Sequence, residues 1–281
     1  MPEEGAKLDL PPELAQDWQR LVERLAGLDS LMVAFSGGVD SSLLLAAARR
    51  VLGDRVQAGI CLGAFTPPWE AARARSLAAH LGVKLHEMDA CELDDPDIVR
   101  NDPQRCYHCK RLRLGRLKEL AGQLGLAAVA EGSQADDAKD FRPGERAVKE
   151  LGLISPLAEA GLGKAEVRAL SRALGLPTAD LPAAACLASR VPWGTELSQE
   201  ALERIGKAEH GLRELLPGNL RVRDHFPVAR LELAPEDLTR ALDESLRHKI
   251  VQAVKAAGYD YAALDLEGYR MGGGQKTPQD G

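Results

Sequence analysis

The sequence predicts an α/β fold, a parallel sheet with helices on both faces, followed by a smaller α+β domain. Three observations carry that expectation. Between residues 31 and 174 short apolar runs alternate with stretches of helical periodicity, the pattern of βαβ units. A glycine-rich turn, Ser36-Gly37-Gly38, separates the first apolar run from the helix that follows it. Beyond Gly194 the order becomes helix, strand, strand, helix, strand, which suits a small antiparallel sheet with helices on one face. The boundary falls near Val191, giving an N-terminal domain of residues 1–190 and a C-terminal domain of residues 191–281.

Residues 13–26 place Leu14, Trp18, Leu21, Val22 and Leu25 at helical spacing, an amphipathic helix that serves packing. Residues 31–35 read as a buried strand, and Leu43, Leu44, Leu45 and the alanines after them as a helix. Residues 56–62 form a second strand, Pro67 and Pro68 open a helix ending near His80, and residues 83–88 form a third strand. An arginine-rich helix follows Cys109, residues 124–130 are another strand, Arg142-Pro143-Gly144 begins a helix, and residues 154–157 are a short strand-like exit. A helix over 163–174 ends at Gly175-Leu176-Pro177. The C-terminal domain reads as helix 199–216, strands 220–225 and 228–233, helices within 235–257, and strand 259–266. A parallel sheet of this kind takes its ligand at the carboxyl ends of its strands, where the Ser36 turn lies.

A chain of 281 residues, 45% of them hydrophobic, supports one large or two moderate domains with a real core. Its formal net charge of −6, without a basic tail, disfavours a nucleic-acid partner. The acidic start Met1-Pro2-Glu3-Glu4-Gly5 does not resemble a secretory signal, and no segment supplies about eighteen uninterrupted apolar residues for a membrane span. A soluble cytoplasmic protein, with no membrane partner, is expected. Five cysteines, an odd number with two in a C-x-x-C pair, suit reduced thiols, metal ligands or redox groups better than a disulfide framework.

The turn itself is built for an anion. Glycines let backbone approach a ligand closely, and free amides at a helix N-terminus, with the hydroxyls of Ser36, Ser41 and Ser42, can cradle phosphate or pyrophosphate. No lysine follows Gly38, which argues against the P-loop of GTPases and ATPases. A plain helix-starting turn is the alternative. At the end of the 124–130 strand, Glu131 and Asp136, together with Asp40 in the turn, are candidate magnesium ligands, since a hard cation on ATP takes one or two carboxylates plus phosphate oxygens. A solvated acidic turn with an aspartate helix cap would look the same.

Cys106 and Cys109, in the stretch Asn101-Asp102-Pro103-Gln104-Arg105-Cys106-Tyr107-His108-Cys109-Lys110, can be half a metal site, a redox pair or two packed thiols. Cys61 and Cys91 are isolated in ordinary apolar or loop surroundings and read as structural. Cys186 lies in a proline-bounded loop close to Arg190, and a cationic neighbour favours the thiolate. Arg221, Arg223 and His225 alternate along one strand and so share a face, with Arg270 after the last strand. That concentration of positive charge suits an anionic ligand, against the plainer reading of a solvated basic face.

The string SGGVDSS resembles the PP-loop of the ATP pyrophosphatases, a superfamily that includes NAD, GMP and asparagine synthetases and several tRNA thiolases. Taken in order with NDPQRCYHCK, EGSQADD, RPGERAVKELG, SPLAEAGLGKAEVRALSRALGLPT, ACLASRVPWG, RVRDH and LDLEGYR, it resembles the LarE-type ATP-dependent sulfur transferases over nearly the whole chain. The tail Met271-Gly272-Gly273-Gly274 departs from the polar ending of that family.

The resemblance implies a PP-loop α/β fold and a substrate, pyridinium-3,5-biscarboxylic acid mononucleotide, that is a precursor of the nickel-pincer cofactor of lactate racemase. ATP would be bound by Ser36, Gly37, Gly38, Asp40, Ser41 and Ser42, a carboxylate adenylated with release of pyrophosphate, and AMP displaced by sulfur. Cys186 matches the sulfur-bearing cysteine, which in the simpler chemistry is consumed to dehydroalanine. With Cys106 and Cys109 it also completes three thiolates, a set that holds a [4Fe-4S] cluster with one iron open for sulfide from a separate donor, and this version is favoured. Arg190, Arg221, Arg223, His225 and Arg270 would bind the substrate's phosphate and carboxylates, with Arg221 and Arg223 also acting on the tetrahedral oxyanion. A homo-oligomer is expected. The alternatives are a PP-loop thiolase of tRNA or another small molecule and a nucleotide sensor without turnover.

Overall fold

A computed structural model describes residues 10–139, 143–182 and 185–270. Arg142, Ala183 and Ala184 of the cysteine loop, and the divergent 271–274 tail lie outside them. The elements in chain order are α1 (Pro12–Ala26), β1 (Leu31–Ala34), α2 (Val39–Leu52), β2 (Val56–Leu62), α3 (Pro68–His80), β3 (Leu85–Asp89), α4 (Pro96–Val99), α5 (Arg105–Gln123) and β4 (Ala128–Ala130). They continue with α6 (Pro143–Leu151), α7 (Pro156–Glu159), α8 (Lys164–Ala173), α9 (Gln199–Arg213), β5 (Leu220–His225), β6 (Val228–Leu233), α10 (Pro235–Arg240), α11 (Glu244–Ala256) and β7 (Tyr261–Leu264).

Two compact units divide the chain. Unit 1 comprises residues 1–63, 68–90 and 106–184; unit 2 comprises 64–67, 91–105 and 185–281. The second unit thus gathers the C-terminal stretch with two short segments that follow β2 and β3.

Unit 1 is built on a four-stranded, all-parallel sheet of order β3-β2-β1-β4. Side chains alternate across it as strand geometry requires. Leu31, Val33, Val56, Ala58, Ile60 and Ala130 join one apolar cluster with residues of α1, α2, α3 and α8. Met32, Cys61 and Val129 join a second with Leu114, Leu117 and Ala121 of α5 and Val148 of α6. Helices therefore cover both faces, as the apolar runs predict. Gly59 marks the tightest packing of α5: a Cβ there would lie 2.6 Å from Leu117 Cδ2.

Some bounds differ from the sequence reading. The strand expected over 124–130 pairs only at Ala128–Ala130, with Ile154 adding a single parallel bridge to Ala130. The C-x-x-C pair, expected just ahead of its helix, lies inside α5 as its second and fifth residues.

Unit 2 carries a three-stranded sheet of order β5-β6-β7. The antiparallel sheet expected here is mixed: β5 and β6 form an antiparallel hairpin, but β6 and β7 run parallel. The reason is the connection, since α10 and α11 return the chain to the start of the sheet before β7 begins. Leu220, Val222, Ala229, Leu231 and Leu233 point to one face and pack with Ala208 and Leu212 of α9 and Ile250 and Val254 of α11. The alternate residues, Arg221, Arg223, Arg230 and Glu232, are thereby turned to the other face. Among the described residues no helix is long and apolar enough to cross a membrane.

Candidate active site

In unit 1 the glycine turn joins β1 to α2 at the carboxyl end of the parallel strands. Gly37 has φ +70°, and a Cβ would stand 3.0 Å from Ala74 Cα of α3, so glycine is required for conformation and for space. Arg73 of the same helix donates to the Gly37 carbonyl at 2.9 Å. Gly38 begins α2 without a side-chain cap, which leaves the amides of the first turn directed outward. The hydroxyls lie around them: Ser36 Oγ and Ser41 Oγ are 3.0 Å apart, Gly38 N donates to Ser36 Oγ at 3.3 Å, and Ser42 Oγ donates to the Gly38 carbonyl at 2.6 Å. Such a turn, set on a helix dipole, favours a polyphosphate.

Asp40 follows one residue into the helix. Its Oδ1 is buried and has no hydrogen-bond partner among the described residues. Burial raises its carboxyl above the ordinary carboxylate range; Lys164 opposes that shift, Asp137 adds to it, and Arg168 opposes it. An unsatisfied oxygen between an acid and two bases fits a carboxylate awaiting a cation.

Glu131 and Asp136 are differently placed. Glu131 is buried and accepts from Lys110 Nζ at 2.9 Å, Ser155 Oγ at 2.6 Å and Ser133 Oγ at 2.8 Å. Burial pushes its carboxyl up, but Lys110 and the hydroxyl hydrogen bonds outweigh this and hold it below the usual range. Asp136 accepts from the Lys164 amide at 2.9 Å and so caps the start of α8. Among the described residues no three His, Cys, Asp or Glu side chains gather as a metal-ready group. Gly132, after Glu131, packs against the turn: a Cβ would lie 3.0 Å from Ser41 N.

No disulfide joins any of the five cysteines. Cys106, exposed, and Cys109, half-buried, are three residues apart on α5 in unit 1 and share a helix face. Cys186, half-buried, belongs to unit 2, immediately before a 3₁₀ turn at Leu187–Arg190.

Unit 2 also holds the expected arginines. Arg190 is 2% exposed and pairs with the fully buried Glu209 through two contacts, 2.8 and 3.0 Å. Its Nη1 donates to the carbonyls of Ala185 at 2.6 Å and Cys186 at 2.9 Å. Arg223 forms a fork on Glu232, 2.9 and 2.7 Å, and donates to the Ser189 carbonyl at 2.7 Å. Arg221 lies over the Tyr269 ring at 5.0 Å; burial, then neighbouring Arg190, lowers its guanidinium from the ordinary value. His225 accepts from Arg230 Nε at 3.3 Å and is likewise lowered by burial and by Arg230. Arg270 is exposed and pairs with Glu267.

Within unit 2, Arg190 therefore holds the Cys186 carbonyl, Arg223 holds that of Ser189 and Arg221 lies close enough to Arg190 for its charge to be felt, while His225 and Arg270 pair elsewhere, with Arg230 and Glu267. Sequence reasoning missed Lys164 and Arg168 beside Asp40, Lys110 on Glu131, and the buried glutamates 209 and 232. The signal for Glu232 was present: in a hairpin of this register it stands opposite Arg221.

The asparagine synthase family profile matches residues 19–111, which span the glycine turn, β2, β3 and the start of α5. An uncharacterized protein of Synechocystis is 40% identical over 245 residues, 87% of this chain and 91% of its own. The pyridinium-3,5-bisthiocarboxylic acid mononucleotide synthase of Lactiplantibacillus plantarum is 36% identical over 260 residues, 92% of this chain and 94% of its own. An uncharacterized protein of Methanocaldococcus jannaschii is 29% identical over 245 residues, 85% of this chain and 90% of its own. With a glycine turn suited to polyphosphate, a matched loop domain and an end-to-end relative, this chain belongs to the LarE-type ATP-dependent sulfur transferases of the PP-loop superfamily.

Proposed function

We propose that this ATP-using enzyme converts a carboxylate of pyridinium-3,5-biscarboxylic acid mononucleotide to a thiocarboxylate, a step in assembling the nickel-pincer cofactor. The observation that carries the reading is the end-to-end likeness to the Lactiplantibacillus synthase, whose name specifies the bisthiocarboxylic product.

A carboxylate oxygen is a poor leaving group, so activation comes first. Ser36, Gly37, Gly38, Asp40, Ser41 and Ser42 hold the β- and γ-phosphates as the leaving pyrophosphate while the substrate oxygen attacks the α-phosphorus. Asp40, whose Oδ1 is buried without a hydrogen-bond partner among the described residues, would hold magnesium, and the ion would supply charge neutralisation for the phosphates. Glu131 and Asp136 act around it, the one fixed by Lys110 and two serines, the other by the Lys164 amide. A sulfur nucleophile then forms the C–S bond, the C–O bond to AMP breaks, and AMP leaves with the electron pair.

Arg221, Arg223, His225 and Arg270 meet the anionic groups of the substrate, and Arg221 and Arg223 the developing oxyanion. Arg190, each of whose three nitrogens has a partner, contributes by holding the backbone at Cys186. Cys106, Cys109 and Cys186 would be the donors if a [4Fe-4S] cluster is held, a reading supported by their soft thiolate chemistry and by the i, i+3 spacing of the first two on α5. The chemistry such a cluster would supply is an open iron site for sulfide from a separate donor. The enzyme is further proposed to act in the cytoplasm as a homo-oligomer on a small-molecule nucleotide.

Anaerobic reconstitution with iron and sulfide tests the sulfur source. The expected result is a [4Fe-4S] chromophore, product beyond one sulfur per chain, and loss of both on changing Cys106, Cys109 or Cys186 to alanine. Activity retained in Cys106→Ala and Cys109→Ala, with Cys186 losing the mass of one hydrogen sulfide, would instead establish the sacrificial route.

A further inference from the structure

The motif ahead of the C-x-x-C pair contains two buried polar residues that the chemistry above does not use, Asn101 and Arg105. Both belong to unit 2, and both reach the loop that carries Cys186. Asn101 is fully buried at φ +54°, a conformation asparagine tolerates better than most residues. Its Nδ2 donates to the carbonyls of Pro192 at 2.8 Å and Thr195 at 2.9 Å, with that of Val191 at 3.5 Å. Its own backbone carbonyl accepts from Gly194 N at 3.1 Å. Its Oδ1 accepts from Arg105 Nη1, and the same guanidinium nitrogen donates to the Ala188 carbonyl at 2.9 Å. Arg105 is 2% exposed.

Backbone hydrogen bonds hold the loop as well. Leu187 N donates to the Phe65 carbonyl at 3.0 Å, and Leu197 N to the Val99 carbonyl at 2.9 Å. Short segments following β2 and β3 thus fasten residues 187–197 through backbone and side chain together. A loop of this length with no strand or α-helix of its own gains its conformation only from such contacts. From the segments following β2 and β3, the side-chain share comes from Asn101 and Arg105, alongside Arg190 and Arg223, which hold the carbonyls of residues 185, 186 and 189.

We infer that Asn101 and Arg105 are positioning residues for sulfur delivery: they fix the loop that presents Cys186 and have no part in adenylation. The inference rests on the two-step chemistry proposed above. It separates the two steps, because the glycine turn lies in unit 1 and its serine hydroxyls bond within the turn itself. Losing the Asn101 amide frees three carbonyls and lets the loop shift, and a displacement of about 1 Å at a reacting group is enough to cost on the order of 100-fold in rate.

The test uses the full chain with ATP, magnesium, the pyridinium dicarboxylate nucleotide and a sulfide source, reading pyrophosphate and thiolated product separately in one turnover. Asn101→Gly keeps the backbone conformation and removes the amide; Arg105→Lys keeps the charge but not the two-acceptor reach. For Asn101→Gly, pyrophosphate release is expected within about threefold of wild type while thiolation falls roughly 100-fold. Arg105→Lys should show the same split to a lesser degree. Amide hydrogen exchange should quicken over 187–197 and not over α2. Parallel loss of both products in Arg105→Lys, or undiminished thiolation in Asn101→Gly, would overturn the inference. Should Asn101→Gly fail to fold, the Arg105→Lys split decides. A wild-type chain that makes pyrophosphate but no thiolated product refutes the proposed function instead, and in that event the exchange experiment alone judges the clamp.

Discussion

In unit 1 the glycine turn has one short bond, Ser42 Oγ to the Gly38 carbonyl at 2.6 Å, but its other serine contacts stretch from 3.0 to 3.4 Å and one Asp40 oxygen has no partner among the described residues. In unit 2 the arginines near Cys186 are locked: Arg190 on Glu209 and Arg223 on Glu232, each through two contacts and each nearly devoid of solvent. The difference follows from what each region has to do. Loosely held donors can turn to a phosphate that arrives and leaves, whereas a paired guanidinium serves as a fixed strut with a fixed field. The first region sacrifices stability for readiness, and the second acquires rigidity from charges that must stay together.

Breaking the locked region should produce the largest effect. Glu209→Ala strands the Arg190 charge in the interior and is expected to destabilise the chain by about 3–5 kcal/mol in urea unfolding. A change below 1 kcal/mol would mean, by the usual scale of exposed pairs, that the pair is not buried as described.

Asp40→Asn sharpens the contrast, because it should lower pyrophosphate formation by roughly 100-fold while raising the melting temperature at neutral pH. The sign follows from the raised carboxyl: the folded chain holds that proton more tightly than the unfolded chain, so ionisation costs stability as the pH rises through the raised value. The melting gain should shrink as the buffer approaches the ordinary value of 3.8. Glu131 has the opposite sign. Its depressed carboxyl adds stability above the ordinary 4.5, lost as the pH falls through the folded value, so Glu131→Gln should melt earlier at pH 7.

Smaller effects are expected from single hydroxyls and exposed pairs. Ser36→Ala removes the 3.0 Å contact to Ser41 and should cost about 0.5–1.5 kcal/mol, with slower pyrophosphate release as the sharper readout. Arg172→Ala breaks an exposed pair with Asp180 and should leave the urea midpoint in place.

Much of unit 1 was legible because its signals are local. A buried parallel strand reads as an apolar run, and a turn that needs φ +70° with no room for a Cβ reads as glycine. The mixed sheet of unit 2 was not, since strand direction depends on how α10 and α11 cross back, which residue types do not encode. The arginines on β5 were visible by alternation, but their partners were not. Glu209 lies on a helix and Glu232 on the next strand, and only the packed structure shows both carboxylates buried against them. Asn101 and Arg105 were overlooked for a related reason: their acceptors include carbonyls 91 and 83 residues away in sequence.

The most direct test of the central claim is the identity of the nucleotide products. The purified chain, given ATP, magnesium and pyridinium-3,5-biscarboxylic acid mononucleotide, should release pyrophosphate in a reaction dependent on that carboxylate, and should release AMP in equal amount with the thiocarboxylate once sulfur is supplied. Release of ADP and phosphate, or ATP cleavage indifferent to the pyridinium carboxylate, would contradict it.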